Sequence, residues 1–252
     1  MNPSERERVS RLETAGWGVI PPDQYRIDID SEFLSLWKQV NSYTMTSLER
    51  GFALYKGVEY VCRRNIPGDF VECGVWRGGS CLLMALTLEK YKKQRRKIFL
   101  YDTFTGMTEP TDNDRIASNG KSVIEKWNED LEGEKDNFKS WIVGLDEVKN
   151  NIQKAGCSDD IFVYVKGDVR ETLKVTKPGS ISLLRLDTDW YESTAAELKY
   201  LYPLLSEGGV LLIDDYGHFT GAKKAVDEYF LNASPPILLN RVDYTGRIGI
   251  KF

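Results

Sequence analysis

Histidine is almost absent from this chain: its 252 residues contain only one, His218. Cysteine is scarce as well. Cys62, Cys73, Cys81 and Cys157 form no C-x-x-C pair, so a zinc site lacks its usual ligand spacing. Buried free thiols in a reducing cytoplasm account for them. Positive charge is not in excess either. A formal net charge of −4 removes the electrostatic basis for nucleic-acid binding. The basic cluster KKQRRK (92–97) reads as the solvated end of a helix. No apolar run approaches membrane-spanning length. The opening MNPSERERVSRLE is charged and lacks the apolar core of a secretory signal. These absences leave the expectation of a soluble, cytoplasmic protein with neither a nucleic-acid nor a membrane partner.

What is present is enough apolar residue, 41% of the chain, to build a sizeable core. Residues 1–65 read as an N-terminal arm followed by helices. The first 25 or so look loosely held, with a PPD breaker at 21–23. Phe33, Leu34, Leu36, Trp37 and Val40 recur at helical spacing in 31–41, as do Leu48, Phe52, Tyr55, Val58 and Val61 in 46–64. Pro67-Gly68 stops that run. Residues 66–252 then alternate short apolar strands with helices. The strands are DFVECGV (69–75), KIFLYD (97–102), IFVYVKGD (161–168), ISLLRLD (181–187) and GVLLIDD (209–215). Helices are expected near 80–90, 138–155, 194–205 and 222–230. PILLN (236–240) and GRIGIKF (246–252) would add an antiparallel edge pair. The pattern predicts an α/β doubly wound, mostly parallel seven-stranded sheet with a helical extension at its N-terminus. A polar stretch over about 103–135 is too long for an ordinary connection and reads as a flap over a site.

In such sheets ligands sit beyond the carboxyl ends of the strands, and acids crowd there in this chain. Glu72 closes the first strand, beside the turn G-x-x-x-G-G that carries Gly74, Gly78 and Gly79. That spacing departs from the G-x-G-x-x-G of dinucleotide sites and argues against a nucleotide-binding oxidoreductase. A looser glycine turn suits S-adenosylmethionine, which has a carboxylate tail and no pyrophosphate. Asp102 ends the second strand, where an acid can accept from ribose hydroxyls. Asp168 ends the third and either accepts from an adenine amino group or caps the next helix. Asp187 and Asp189 point the same way in extended chain, and Asp214 and Asp215 end the next strand. Four carboxylates packed together call for a cation. Oxygen-only ligands suit Mg²⁺, and Mn²⁺ or Ca²⁺ accept the same donors. Helix capping is the bland alternative. Trp76, Trp190, Tyr191 and Tyr216 flank this cluster, either as ligand walls or as core.

VECGVWRGGS (71–80), YDTFTGM (101–107), LDTDWYEST (186–194) and LIDDYGHFTGAKKAVDEYF (212–230) resemble the macrocin O-methyltransferase family. The resemblance runs from about Met45 to Phe230. It implies a Rossmann-like methyltransferase fold and methyl transfer from S-adenosylmethionine to a sugar hydroxyl of a natural product. It implies that Asp187, Asp214 and Asp215 bind Mg²⁺ and that Asp189 is the general base. Glu72, Gly74, Ser80, Asp102 and Asp168 would surround the cofactor, with Met45 and Thr46 approaching it. The acceptor would be a small-molecule sugar or glycoside. His218 is the rival base, catechol-like phenols the rival acceptors, and a non-catalytic metal- or nucleotide-binding module the rival class. By fold-level analogy, the N-terminal helices suggest a homodimer.

Overall fold

The central strands cannot alternate apolar and polar residues, because helices cover both of their faces. The computed structural model describes residues 3–16, 18–19, 30–91, 95–129, 141–231 and 236–252. By packing, the chain divides into two compact units, 1–34 and 35–252. The first holds helix α1 (Pro3–Thr14), where a loosely held arm is expected from sequence. Helix α2 (Ser31–Val40) crosses the boundary.

The second unit contains helix α3 (Leu48–Arg63), strand β1 (Asp69–Cys73), α4 (Gly79–Leu88), β2 (Ile98–Asp102), α5 (Val123–Glu129), α6 (Leu145–Lys154), β3 (Phe162–Lys166), α7 (Val169–Val175), β4 (Ile181–Leu186), α8 (Tyr191–Leu201), β5 (Leu205–Ile213), α9 (Thr220–Leu231), β6 (Asn240–Arg241) and β7 (Arg247–Ile250). The strands form one sheet in the order β3-β2-β1-β4-β5-β7-β6. Strands β1 to β5 pair in parallel, and β7 runs antiparallel to both β5 and β6. The chain winds outward from β1 through β2 to β3, then returns to β4 on the other side of β1. That reversal opens a crevice at the carboxyl ends of β1 and β4.

Every residue of β4 is buried. Val71, Tyr101, Leu184, Leu186, Leu211 and Ile213 pack against Leu198 and Leu201 of α8, Leu173 of α7 and Val226 of α9. Helix α3 packs against β4 and β5. No helix among the described residues is long and apolar enough to cross a membrane.

Two regions differ from expectation. PILLN does not form a strand: only Asn240 and Arg241 pair with β7. Pro236 has no N–H to give a ladder, and Leu238 points outward at 69% exposure. Ile237 and Leu239 instead join the main core as partly buried side chains. The flap, for its part, contains α5 and short bridges of Arg115 to Ser122 and of Ile116 to Phe219. Its apolar residues Met107, Ile116, Val123 and Trp127 gather on Trp190 and Phe219. Those apolar positions are spaced too irregularly to stand out as a periodic pattern. The end of the expected flap, and the start of the helix expected at 138, lie outside the described residues.

Candidate active site

The tips of β1 and β4 meet because position 74 has no side chain. Gly74 has φ +84°, and a Cβ there would stand 1.9 Å from the Asp187 carbonyl oxygen. The Asp187 N–H donates to the Cys73 carbonyl at 2.8 Å across this junction. Gly74 therefore serves the strand junction as well as the cavity that it lines.

That cavity has a volume of about 310 Å³, at the lower end of the range for small-molecule sites. Its lining includes every site residue expected from sequence: Met45, Thr46, Glu72, Gly74, Ser80, Asp102, Asp168, Asp187, Asp189, Asp214 and Asp215. Thr46 donates to Asp214 at 3.3 Å. Ser80 lies in the first turn of α4 and is buried. Asp102 accepts the N–H groups of Val75 at 2.7 Å, Trp76 at 3.3 Å and Phe104 at 2.7 Å. Trp76 and Phe104 both have left-handed backbone, so Asp102 holds two strained turns. A carboxylate has about four lone-pair sites, so these three bonds leave about one, which the Thr103 hydroxyl approaches at 3.4 Å. Asp168 caps α7 through the Arg170 N–H at 2.9 Å. Hydrogen bonds from the Arg170 side chain hold its carboxyl below the usual range.

Asp187, Asp214 and Asp215 each offer an oxygen within 4.8 Å of the others. Asp189 sits beside them with φ +69°, a backbone that a non-glycine residue rarely adopts, and its carboxyl lies against that of Asp215. Burial, reinforced by the neighbouring carboxylates, pushes Asp187 and Asp215 well above the usual carboxylate range. It raises Asp189 to about 7. Seven carboxylates line the cavity with one guanidinium, that of Arg50. Such a site is short of positive charge and suits a hard cation with oxygen ligands.

Two arginines complete the cluster, and neither is singled out by the sequence reading. Arg185 is 3% exposed and bonds to Glu72, to Asp187 at 2.7 Å and to Asp214 at 2.6 Å. A lone charge inside an otherwise apolar strand, two residues before Asp187 and so on the same face, is the signal that marks it. Its register partner on β1 is Glu72. Arg50 of α3 pairs with Asp214 and, at 3.0 Å, with Asp243. Removing Arg185 would leave three acids without their buried partner. We expect Arg185→Met to destabilise the fold by about 3–5 kcal/mol in denaturant melts. A loss under about 1 kcal/mol would show that the acids do not depend on it.

A further acid lies beneath the β4 tip. Glu197 of α8 is fully buried and accepts from the Thr188 hydroxyl at 2.7 Å. Burial raises its pKa from the ordinary 4.5 to about 8. The folded state thus keeps a proton that the unfolded state has released. This contribution to stability is present below about pH 4.5 and is lost as pH rises through about 8. Glu197→Gln cannot titrate, so its melting temperature should gain on the wild type steadily across that window. A constant offset between the two proteins would contradict the assignment.

His218 also lines the cavity; its Nδ1 lies 3.2 Å from the Tyr244 hydroxyl, and burial lowers its pKa. Of the four aromatics suggested by sequence, only Trp76 lines the cavity. Trp190 is core and donates to the Thr108 carbonyl at 2.8 Å. The Tyr191 and Tyr216 hydroxyls bond to Glu228 and Asp227 on α9. Tyr101, Trp141, Phe219 and Tyr244 supply the remaining aromatic walls.

With the fold and its cavity in view, likeness to known proteins shows an S-adenosylmethionine-dependent O-methyltransferase. The profile of the Macrocin-O-methyltransferase (TylF) family matches residues 33–248, and the chain belongs to that family. It is 32% identical over 228 residues to the demethyldecarbamoylnovobiocin O-methyltransferase of Streptomyces niveus, covering 90% of this chain and 79% of that protein. It is 34% identical over 212 residues to the 8-demethyl-8-(2,3-dimethoxy-alpha-L-rhamnosyl)-tetracenomycin-C 4'-O-methyltransferase of Streptomyces olivaceus, covering 83% and 76%. Among solved structures, the O-methyltransferase NovP superposes with a TM-score of 0.72 at 29% identity, covering 83% of this chain and 82% of that one.

Proposed function

We propose that this enzyme methylates a hydroxyl of a sugar or glycosylated small molecule, with Asp189 as general base and a divalent cation, Mg²⁺ by preference, held by Asp187, Asp214 and Asp215. The observation that carries this reading is the convergence of those three carboxylates within 4.8 Å, with Asp189 beside them in strained backbone. The relatives' names point the same way, since one of them acts at the 4' position of a rhamnosyl-bearing tetracenomycin.

A sugar hydroxyl holds its proton about as tightly as water, whose pKa is about 15.7. Bound Mg²⁺ would supply positive charge that stabilises the developing alkoxide. The chain's residues do the rest. Asp187, Asp214 and Asp215 would grip the cation, and Asp214, bonded to Arg185, Arg50 and Thr46, keeps about one lone-pair site for it. Arg185 holds Asp187 and Asp214 in place through its guanidinium. Asp189 would take the proton of the acceptor hydroxyl, and S-adenosylmethionine would supply the methyl group. Glu72, Gly74, Ser80, Asp102 and Asp168, with Met45 and Thr46, hold the cofactor. Asp102 would accept from its ribose, and Asp168, which caps α7, would lie at the adenine end. Holding both partners in line can supply roughly 7–11 kcal/mol of barrier lowering at best. The same reading places the enzyme in the cytoplasm, either alone or as a homodimer.

The test is a screen of glycosides and catechols with methyl-labelled S-adenosylmethionine, with and without Mg²⁺. The reading expects label on glycosides only when Mg²⁺ is present. Transfer to catechols alone would replace the acceptor class. A protein that binds the cofactor yet methylates nothing would point to a non-catalytic module.

A further inference from the structure

The flap carries a carboxylate that the mechanism leaves unused. Asp114 is 0% exposed, although it lies in a loop rich in charge. One of its oxygens accepts from the Thr111 N–H at 2.7 Å and the Thr111 hydroxyl at 3.0 Å. The other accepts from the Tyr191 N–H at 2.8 Å. Tyr191 is the first residue of α8, and the residue at the helix's own cap position, Trp190, supplies no side-chain cap. Asp114 therefore caps α8 from a distant part of the chain. Its charge also suits the positive end of the helix.

The seat for this carboxylate is made by a missing side chain. A Cβ on Gly221 would stand 1.8 Å from the Asp114 carboxylate oxygen. Neighbouring bonds hold the same segment in place. The Thr220 N–H donates to Arg115, the Thr220 hydroxyl donates to the Asn113 carbonyl at 2.9 Å, and the Ala117 N–H donates to His218 at 2.9 Å. Trp190 reaches back to Thr108. Asp114 thus sits between the flap, the start of α9 and the start of α8, two residues after Asp189.

We propose that Asp114 is a positioning residue: by capping α8 it fixes the loop that presents Asp189 and locks the flap against it. The catalytic part of this proposal rests on the reading of Asp189 as the base. Freed from the cap, the strained backbone at Asp189 relaxes, and the flap residues Met107 and Thr108 lose their fixed place on the cavity wall. A displacement of about 1 Å at a reacting group can cost about 10²-fold in rate.

The test compares the wild-type full chain with Asp114→Ala, Asp114→Asn and Gly221→Ala, each with S-adenosylhomocysteine and Mg²⁺, by amide hydrogen exchange. Asp114→Ala and Gly221→Ala should speed exchange at least about tenfold at Tyr191 and over residues 107–123. The sheet strands should exchange as in the wild type. Asp114→Asn keeps an oxygen for the Tyr191 N–H but sets its amide NH2 against the Thr111 N–H, so it should restore part of the protection at Tyr191. With the glycoside accepted in the screen above, kcat per cofactor-binding site should fall about 10²-fold in Asp114→Ala and Gly221→Ala. The KM for S-adenosylmethionine should stay within about twofold. Unchanged exchange at Tyr191, or faster exchange spread evenly over the sheet, overturns the proposal. So does local loosening with wild-type kcat. Asp189→Asn in the same assay separates the two ideas: if it turns over normally the base assignment fails, and the exchange data alone then decide the role of Asp114.

Discussion

Asp189→Asn should lower kcat by about 10²–10⁴-fold, the usual contribution of a positioned general base, while S-adenosylmethionine and metal bind as before. The substitution keeps the size and shape of the side chain and removes only its ability to take a proton. Asp189 is suited to the task by its setting. Burial has raised its pKa to about 7, so the carboxylate is a stronger base than one in water. Its left-handed backbone turns the side chain into the same pocket as Asp215, the kind of local strain that clusters at functional sites. His218 is the control. It lines the same cavity, but its Nδ1 faces Tyr244, and burial favours its neutral form. His218→Ala should therefore retain most of its turnover. Activity lost in the His218 variant and kept in the Asp189 variant would exchange the two roles. Steady-state kinetics beside calorimetric cofactor titration makes the measurement.

Exhaustive chelation should abolish methyl transfer, and Mg²⁺ should restore it. Lewis-acid stabilisation of an alkoxide is worth several kcal/mol, and each 1.36 kcal/mol is a factor of ten in rate, so the loss should be at least about 10²-fold. The acids also predict a side effect. Burial and mutual repulsion hold the proposed ligands Asp187 and Asp215 above the usual carboxylate range. A divalent cation reverses that balance, so loading it near neutral pH should release protons. Calorimetry in buffers of different ionisation enthalpy reads the number released. Activity untouched by chelation, with no proton release on adding Mg²⁺, would remove the metal from the mechanism.

Much of this architecture is legible in the sequence, because strand ends carry both the fold and the chemistry. The five parallel strands announce themselves as short apolar runs, and each run stops at or next to the acid that faces the cavity. Other features are hidden for physical reasons. Arg185 stands out as a lone charge in an apolar strand, but its partner Glu72 appears only when the register sets the two opposite each other. Arg50 and Asp243 meet across almost the whole length of the chain, which no local pattern encodes. Asp114 reads as one charge among many in a polar stretch. Only the folded chain shows it sealed between two helix starts, with Gly221 making room. PILLN looks like a strand by composition, yet only its last residue joins the ladder. Trp190, Tyr191 and Tyr216 face α9 or the core, whereas the cavity walls come from Trp76 and from positions such as Tyr101, Trp141 and Tyr244.

Anomalous diffraction from crystals grown with Mn²⁺ and S-adenosylhomocysteine probes the core of this account. The expected map shows one ion bound by oxygens of Asp187, Asp214 and Asp215, with the Asp189 carboxylate close by and outside the coordination sphere. An ion held elsewhere, or one that takes Asp189 as a ligand in place of those three, would contradict it.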